Sequence, residues 1–559
     1  MYFKPPYEVV NEVEIGRYIT PYGIGFDLGP NGFTWIYDVT DYQKYLKGLV
    51  DLAAHNTQEL LDLKFAFVEG IPARDVHDIA PIWSNYKSYT YSAMDNDQVL
   101  SEVPVILADS SEMFKIKTRF TGHGHNGTTN CCEWDPKDHQ LIVNGVPRFT
   151  WDIWEESACG DNPNIGQGGT WPYAREGWCP GDMVKEYDHE LTPFVHGGDT
   201  VLLDYDIEDV PANDLAQGAG NYIVAMDLVS YSAPNFTHDA GIVDILNPNN
   251  YEYYGKWNPT CSNPRIIIQN NGSAPLTSCI IRCWVTYGVW AEYHWSGNLA
   301  FLEKEIVEIP ITDGNWWYGA NPANKFNAQI YAVGGYPDLD EYAANNYQTA
   351  NYTKPEYIDG PFYVWNVTNN KAAENKWKLI DANGAVVFQR TTLTNSTDYK
   401  DTFNLAPGCY SIILEDSDHD GINFWYSQQV EGETAGSFRI RKIGGAMMET
   451  FPGDFGHYHR YDFTVGFALS IDETNLSDEF MLFPNPANDK IRMEYTGNIG
   501  ASAYIEVLDM NGRVVATETV SNTNNSYAKD LLLDQVKPGY YMICLTGELG
   551  QRIGNFIKQ

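Results

Sequence analysis

Positive charge is scarce in this sequence. Over 559 residues, 36 Lys and Arg stand against 74 Asp and Glu, for a formal net charge of −38. Binding a phosphate backbone needs Lys and Arg gathered on one surface, and no such cluster stands out, so nucleic acid is excluded as an expected partner. The acidic groups are spread along the chain and read as a solvated surface that favours solubility. No run of 18 apolar residues occurs, so no membrane span is expected. The opening, Met1-Tyr2-Phe3-Lys4-Pro5-Pro6, lacks the apolar stretch and small-residue cleavage site of a signal peptide. Nine cysteines are too few for a disulfide scaffold in a chain this long.

Long helical periodicity is also rare. Short runs rich in Val, Ile, Tyr, Phe and Trp recur between turn residues, punctuated by 48 Gly and 29 Pro. That pattern predicts an all-β chain of sandwiches. The expected units are 1–92, 93–247, 248–353 and 354–468, then a polar linker at 469–479 and a small sandwich at 480–559. The fourth unit echoes the last. Asp381-Ala-Asn-Gly384 parallels Asp509-Met-Asn-Gly512, and Pro407-Gly408-Cys409-Tyr410 parallels Pro538-Gly539-Tyr540-Tyr541. A shared topology is expected for the two. Within the fourth unit, Asp416, Asp418 and Asp420 precede Gly421. Alternating carboxylates before a glycine suit a structural Ca²⁺, although Ser427 stands where a helix-loop-helix site needs Glu. A polar turn explains the run equally well. In the third unit Trp316-Trp317 suggests either a sugar platform or, more commonly, core.

From Phe480 onward the sequence reads strand, turn, strand. The landmarks are Phe483-Pro484-Asn485-Pro486-Ala487, the Asn511-Gly512 turn, Pro538-Gly539-Tyr540-Tyr541 and the near-terminal Lys558. This stretch resembles the C-terminal sorting domain of the Bacteroidetes type IX secretion system. The resemblance implies passage through the periplasm, the type IX machinery as a partner, and a secreted or cell-surface protein. In that compartment a disulfide between Cys159 and Cys179 is expected across a Gly- and Pro-rich loop, worth about 3 kcal/mol. Two buried thiols are the alternative.

The chemistry-bearing residues lie in the first 247. They are Gly122-His123-Gly124-His125, Cys131-Cys132-Glu133-Trp134, and the run Trp171 to Gly181 containing Arg175, Trp178 and Cys179. A Glu beside Trp is placed for acid–base tuning, and Arg175 offers a fixed positive fork. Alone, such a pair is more often a surface accident. Together with Glu14-Ile-Gly-Arg17, Asp38-Val-Thr-Asp41-Tyr42 and Glu69 with Arg74, however, the order and spacing over residues 14–247 resemble the peptide-N-glycosidase F family.

That resemblance implies two side-by-side jelly rolls with a site at their interface. It also implies hydrolysis of the amide joining an N-glycan to Asn, in N-glycosylated proteins or glycopeptides, with no catalytic cofactor. Glu133 and Glu69 match supporting catalytic glutamates, Glu69 after a one-residue shift. Arg175, Arg74, Trp134, Trp178, Trp171, His123 and His125 fall at the expected substrate pocket. Amide hydrolysis needs an activated water, a stabilised oxyanion and a proton for the leaving amine. The family's principal Asp would precede Tyr2-Phe3-Lys4 and hence Met1, which implies a reading frame truncated at its start. Asp135 stands where the family has a cysteine, leaving Cys132 as the alternative partner for Cys131. Two rival readings are a glycan-binding protein without catalysis and a metal-dependent jelly roll using His123-x-His125. Glu133 lies too far from that pair for a cupin pattern.

Overall fold

The computed structural model describes residues 12–23, 26–29, 32–54, 60–83, 87–156, 158–257, 260–286, 288–311, 316–317, 324–466, 479–496, 502–509, 513–521, 526–547 and 550–559. The Tyr2–Lys4 strand, most of the linker at 469–479 and the Asn511-Gly512 turn lie outside them. The fold is almost entirely antiparallel β.

Residues 74–234 form the sandwich that carries the site. One sheet orders Arg74–Pro81, Asn221–Pro234, Met113–His123 and Tyr187–Glu190, with Lys87–Thr90 pairing to Asn221–Pro234. The facing sheet orders Val103–Ile106, Thr200–Ile207, His139–Val143 and Val146–Trp151. Strand alternation sends Phe114, Ile116 and Phe120 into the core between the sheets. Their neighbours Lys115, Lys117 and Arg119 face the other way, yet are also buried.

What covers that outer face is the N-terminal segment, and here the expected boundary moves. Arg74–Pro81 and Lys87–Thr90 are strands of the second sandwich, so residues 74–92 do not belong to a first one. Before residue 74 the described residues contain one short 3₁₀ turn, Thr40–Tyr42, and a single bridge, Tyr18 to Met183. Their apolar spacing suggests strands, but a strand needs a partner edge. Instead this segment lies over the sheet, with Tyr42 packed beside Ile79, Val229 and Tyr231. Its carboxylates neutralise the buried cations. Lys115 Nζ donates to Asp41 at 2.9 Å, and Arg17 and Arg119 both reach Glu14. Glu186 pairs with Lys117 and Arg119. Burial pushes Asp41 up, but Lys115 and Lys117 pull it below its ordinary value.

The next sandwich starts at Ala240–Asn247, earlier than 248, because that strand pairs with Arg265–Asn270. Its core contains Trp316 and Trp317, set edge-on to each other, so the paired tryptophans are packing and not a platform. A disulfide between Cys261 and Cys409 ties it to the fourth sandwich.

The echo between the last two sandwiches is topological. Val386–Arg390, Asn375–Asp381, Gly408–Asp416 and Tyr458–Val465 are neighbours in that order. So are Val514–Ser521, Ser502–Asp509, Gly539–Gly547 and Gly550–Lys558. In both, a tyrosine two residues after the strand's first glycine bonds back four residues. Tyr410 donates to Ala406 O at 3.0 Å, and Tyr541 donates to Lys537 O at 2.8 Å.

Candidate active site

The site forms where Met113–His123 ends. Two glycines permit it. A Cβ at Gly122 would stand 1.9 Å from Cys132 O, and one at Gly177 would stand 2.5 Å from Phe120 O. Three chain segments therefore approach backbone to backbone. Gly122 N donates to Glu176 O at 2.9 Å, Glu176 N to Glu133 O at 3.0 Å, and Trp178 Nε1 to Gly122 O at 2.8 Å. Cys131 is bonded to its neighbour Cys132.

Glu133 is 8% exposed and sits between two donors. Arg175 Nε reaches its Oε1 at 3.2 Å. On the other side His125 Nε2 lies 3.3 Å from Oε2. Trp134 Nε1 donates to His125 Nδ1 at 2.9 Å, so the proton of a neutral His125 is on Nε2 and faces Glu133. An ionised carboxylate has about four lone-pair positions, and two are taken here, which leaves acceptor capacity for a water or a ligand N–H.

Arg175 differs from its expected role. It is fully buried, and all five guanidinium donors are occupied. Besides Glu133 they reach Trp171 O, Tyr173 O, Thr170 O and Thr170 Oγ1. The guanidinium lies over the rings of Trp134, Trp178 and Tyr22 at 4.3, 4.9 and 5.6 Å. Burial lowers its pKa, while Tyr22 and Glu133 oppose the shift. Arg175 thus holds Glu133 in place and has no spare donor for a ligand. Tyr22, which ends the stretch Glu14 to Tyr22 of the family resemblance, and Thr170, which carried no motif signal, complete the cluster.

His123 stacks on Trp178 with ring centroids 5.5 Å apart, and its Nε2 lies 2.8 Å from Thr121 Oγ1. Burial, helped by the positive charge of Arg17, lowers its pKa to about 4. His123 and His125 serve different partners and do not form a ligand pair. Among the described residues no group of three or more His, Cys, Asp or Glu is gathered to hold a metal ion.

Three other expected pocket residues lie elsewhere. Glu69 is exposed, and among the described residues no hydrogen bond or ion pair joins it to Glu133, because its segment has no sheet to hold it there. Arg74 is consumed by a two-pronged pair with Glu190, both bonds 3.0 Å, and lies 3.6 Å from the Tyr231 ring. Trp171 is fully buried, and its Nε1 donates to Asp454 of the fourth sandwich at 2.8 Å. In the aspartate loop, Asp416 and Asp420 are buried but Asp418 is exposed, so the alternating triad does not share one pocket.

The loop that delivers Arg175 is pinned at both ends by the Cys159–Cys179 disulfide. Inside it, Asn162, Asn164 and Gln167 donate side-chain amides to Pro180 O and Gly181 O. The fourth sandwich grips it from outside. Trp425 Nε1 donates to Gly169 O at 2.9 Å, His457 Nδ1 lies 2.9 Å from Asp161 Oδ1, and Tyr173 packs edge-on to Phe424 and Tyr426.

Two stretches of the chain match families of known proteins. Residues 90–229 match the family described as Peptide-N-glycosidase F, C terminal, and residues 481–559 match the Secretion system C-terminal sorting domain. Over 250 residues the chain is 26% identical to peptide-N(4)-(N-acetyl-beta-D-glucosaminyl)asparagine amidase F of Elizabethkingia miricola. That alignment covers 40% of this chain and 67% of the relative. The solved structure of PNGase F, a glycosylasparaginase from Flavobacterium meningosepticum, is 23% identical, covers 39% of this chain and 73% of its own, and has a TM-score of 0.30. A recombinant PNGase F structure is 23% identical over 40% of this chain and 75% of its own, with a TM-score of 0.31. No helix among the described residues is long and apolar enough to cross a membrane. The chain therefore carries a stretch at 90–229 that matches the Peptide-N-glycosidase F C-terminal family model and, at 481–559, a match to the secretion-system sorting domain, which indicates the cell surface or release.

Proposed function

We propose that this protein acts on the amide between an N-glycan and asparagine in glycoproteins or glycopeptides, releasing the glycan and leaving Asp. The observation that carries the reading is Glu133, a buried carboxylate held by His125 and by Arg175, whose guanidinium lies over the rings of Trp134 and Trp178. Its role is to accept a hydrogen bond and orient the attacking water or the scissile amide. Trp134 offers an aromatic face on which a sugar ring can rest. Arg175 and His125 are positioning residues, because each spends its donors on Glu133 or on the loop.

One specific feature favours a second reading. Both oxygens of Glu133 already have a partner, and no second carboxylate touches it among the described residues. That arrangement also suits a glycan-binding site without hydrolysis. Denatured N-glycoprotein separates the two. Hydrolysis converts the glycan-bearing Asn to Asp, which peptide mass spectrometry reads, and Glu133→Gln is expected to lower that rate about 100-fold or more. Retention of glycopeptide with no conversion favours the binding reading. Full conversion by Glu133→Gln removes this residue from the mechanism.

A further inference from the structure

The fourth sandwich holds a second buried carboxylate cluster, independent of the amide reaction. Asp416 is 0% exposed, and its Oδ2 accepts the backbone N–H groups of Asp420 and Gly421 at 2.9 and 2.8 Å. Its Oδ1 is buried without a hydrogen-bond partner. Asp420 is 1% exposed and repeats the pattern. Ser427 Oγ bonds its Oδ2, and its Oδ1 has no partner. Glu433, also buried, presents an unpartnered Oε1 with only Lys371 Nζ nearby, at 3.7 Å. Asn375 adds a neutral oxygen. It is the direct cross-strand partner of Asp416, so the two side chains share a face, and its Oδ1 is buried and unpartnered.

Four buried oxygens with unused lone pairs, three of them on carboxylates, are costly to leave so. Two remedies exist: shared protons, or a hard cation. Among the described residues Lys371 alone forms an ion pair with the cluster, at its edge beside Glu374 and Glu433.

We infer that Asp416, Asp420, Glu433 and Asn375 bind one Ca²⁺ ion through their unpartnered oxygens. Ca²⁺ takes about 6–8 oxygen ligands in flexible geometry, so water and backbone carbonyls would complete the shell. Relative to the alternating sequence triad, Asp418 is replaced by Glu433, which arrives after the helical turn Ser427–Glu431. The carboxylates do not yet converge on one point, so binding is expected to draw them together and stiffen residues 416–433. That segment includes Phe424, Trp425 and Tyr426, which grip the loop bearing Arg175.

The test uses the full chain stripped with chelator, with metal content measured before and after. CaCl₂ is then titrated by calorimetry and by thermal unfolding. One ion per chain is expected, together with a rise of several degrees in the unfolding midpoint and a much smaller response to MgCl₂. Asp420→Asn and Glu433→Gln are each expected to lose the heat and the shift. Should either variant fold poorly, terbium luminescence on the wild-type chain, sensitised through Trp425 and quenched by added Ca²⁺, reads the same site. A stripped wild-type chain with neither heat nor shift overturns the inference. So does an Asp420→Asn chain that melts higher than wild type and ignores Ca²⁺, the signature of carboxyl groups sharing protons.

Discussion

The strand Met113–His123 carries two buried charge networks, and they are built differently. On its outer face Lys115, Lys117 and Arg119 meet Asp41, Glu14, Glu186 and Asp188, with cations and anions interleaved. At its end Glu133 meets Arg175 and His125 beside tryptophan rings, with one side chain of the group, His125, reaching solvent. The first network is closed on itself and cements the N-terminal segment to the sheet. The second keeps acceptor capacity at an accessible edge. Burial of charge alone therefore does not mark function; the difference lies in what remains free to meet a ligand.

Breaking the closed network gives the largest stability effect. Arg119→Met removes the cation that Glu14 and Glu186 share, leaving them Arg17 and Lys117, and losing these two charged contacts is expected to cost about 3–5 kcal/mol in denaturant unfolding. Turnover or glycan affinity per folded molecule should stay near wild type. Glu133→Gln should do the reverse, with little loss of stability.

A smaller effect sharpens the open network. Trp171→Phe removes the bond to Asp454, and a cost of about 1–3 kcal/mol is expected, because a buried acceptor is left without its donor. Since Arg175 also bonds Trp171 O and Tyr173 O, activity should fall while the sandwiches remain folded. Unchanged kinetics would separate the fourth sandwich from the site.

The smallest effect is with pH. Burial holds His123 near 4, below its unfolded value of about 6.5. Between those values the unfolded chain binds more protons, so stability is present above about pH 6.5 and is lost as pH falls towards 4. His189 and His459, also lowered to about 4, and His139, lowered to about 3, act with the same sign. Thermal unfolding of His123→Gln across this range should show a shallower decline than wild type, by about one proton's contribution.

Much of this was legible in the sequence where chemistry is local. The Pro-Gly-x-Tyr runs signalled the matching final sandwiches, because a back-bonding tyrosine depends on adjacent residues. Cys159 and Cys179 bracket a loop that could not order itself, and they are joined. Glu133, Trp134 and Arg175, singled out by motif, lie together in the fold. What failed depends on distant partners. Arg74 reads as a pocket arginine until Glu190, 116 residues later, claims it. Trp171 reads as a pocket aromatic until Asp454, 283 residues away, takes its N–H. The segment before residue 74 has strand-like spacing, but only sheet neighbours could make it a jelly roll. Asp418 fits the alternating pattern but is exposed, whereas Glu433, outside that pattern, is buried.

The most direct test of the amidase reading is hydrolysis of a defined N-glycopeptide in heavy-oxygen water, read by mass spectrometry. Conversion of Asn to Asp with one heavy oxygen in the new carboxyl, strongly reduced by Glu133→Gln, is the predicted result. Glycopeptide that is bound but recovered with its Asn–glycan amide intact would contradict hydrolysis at this site.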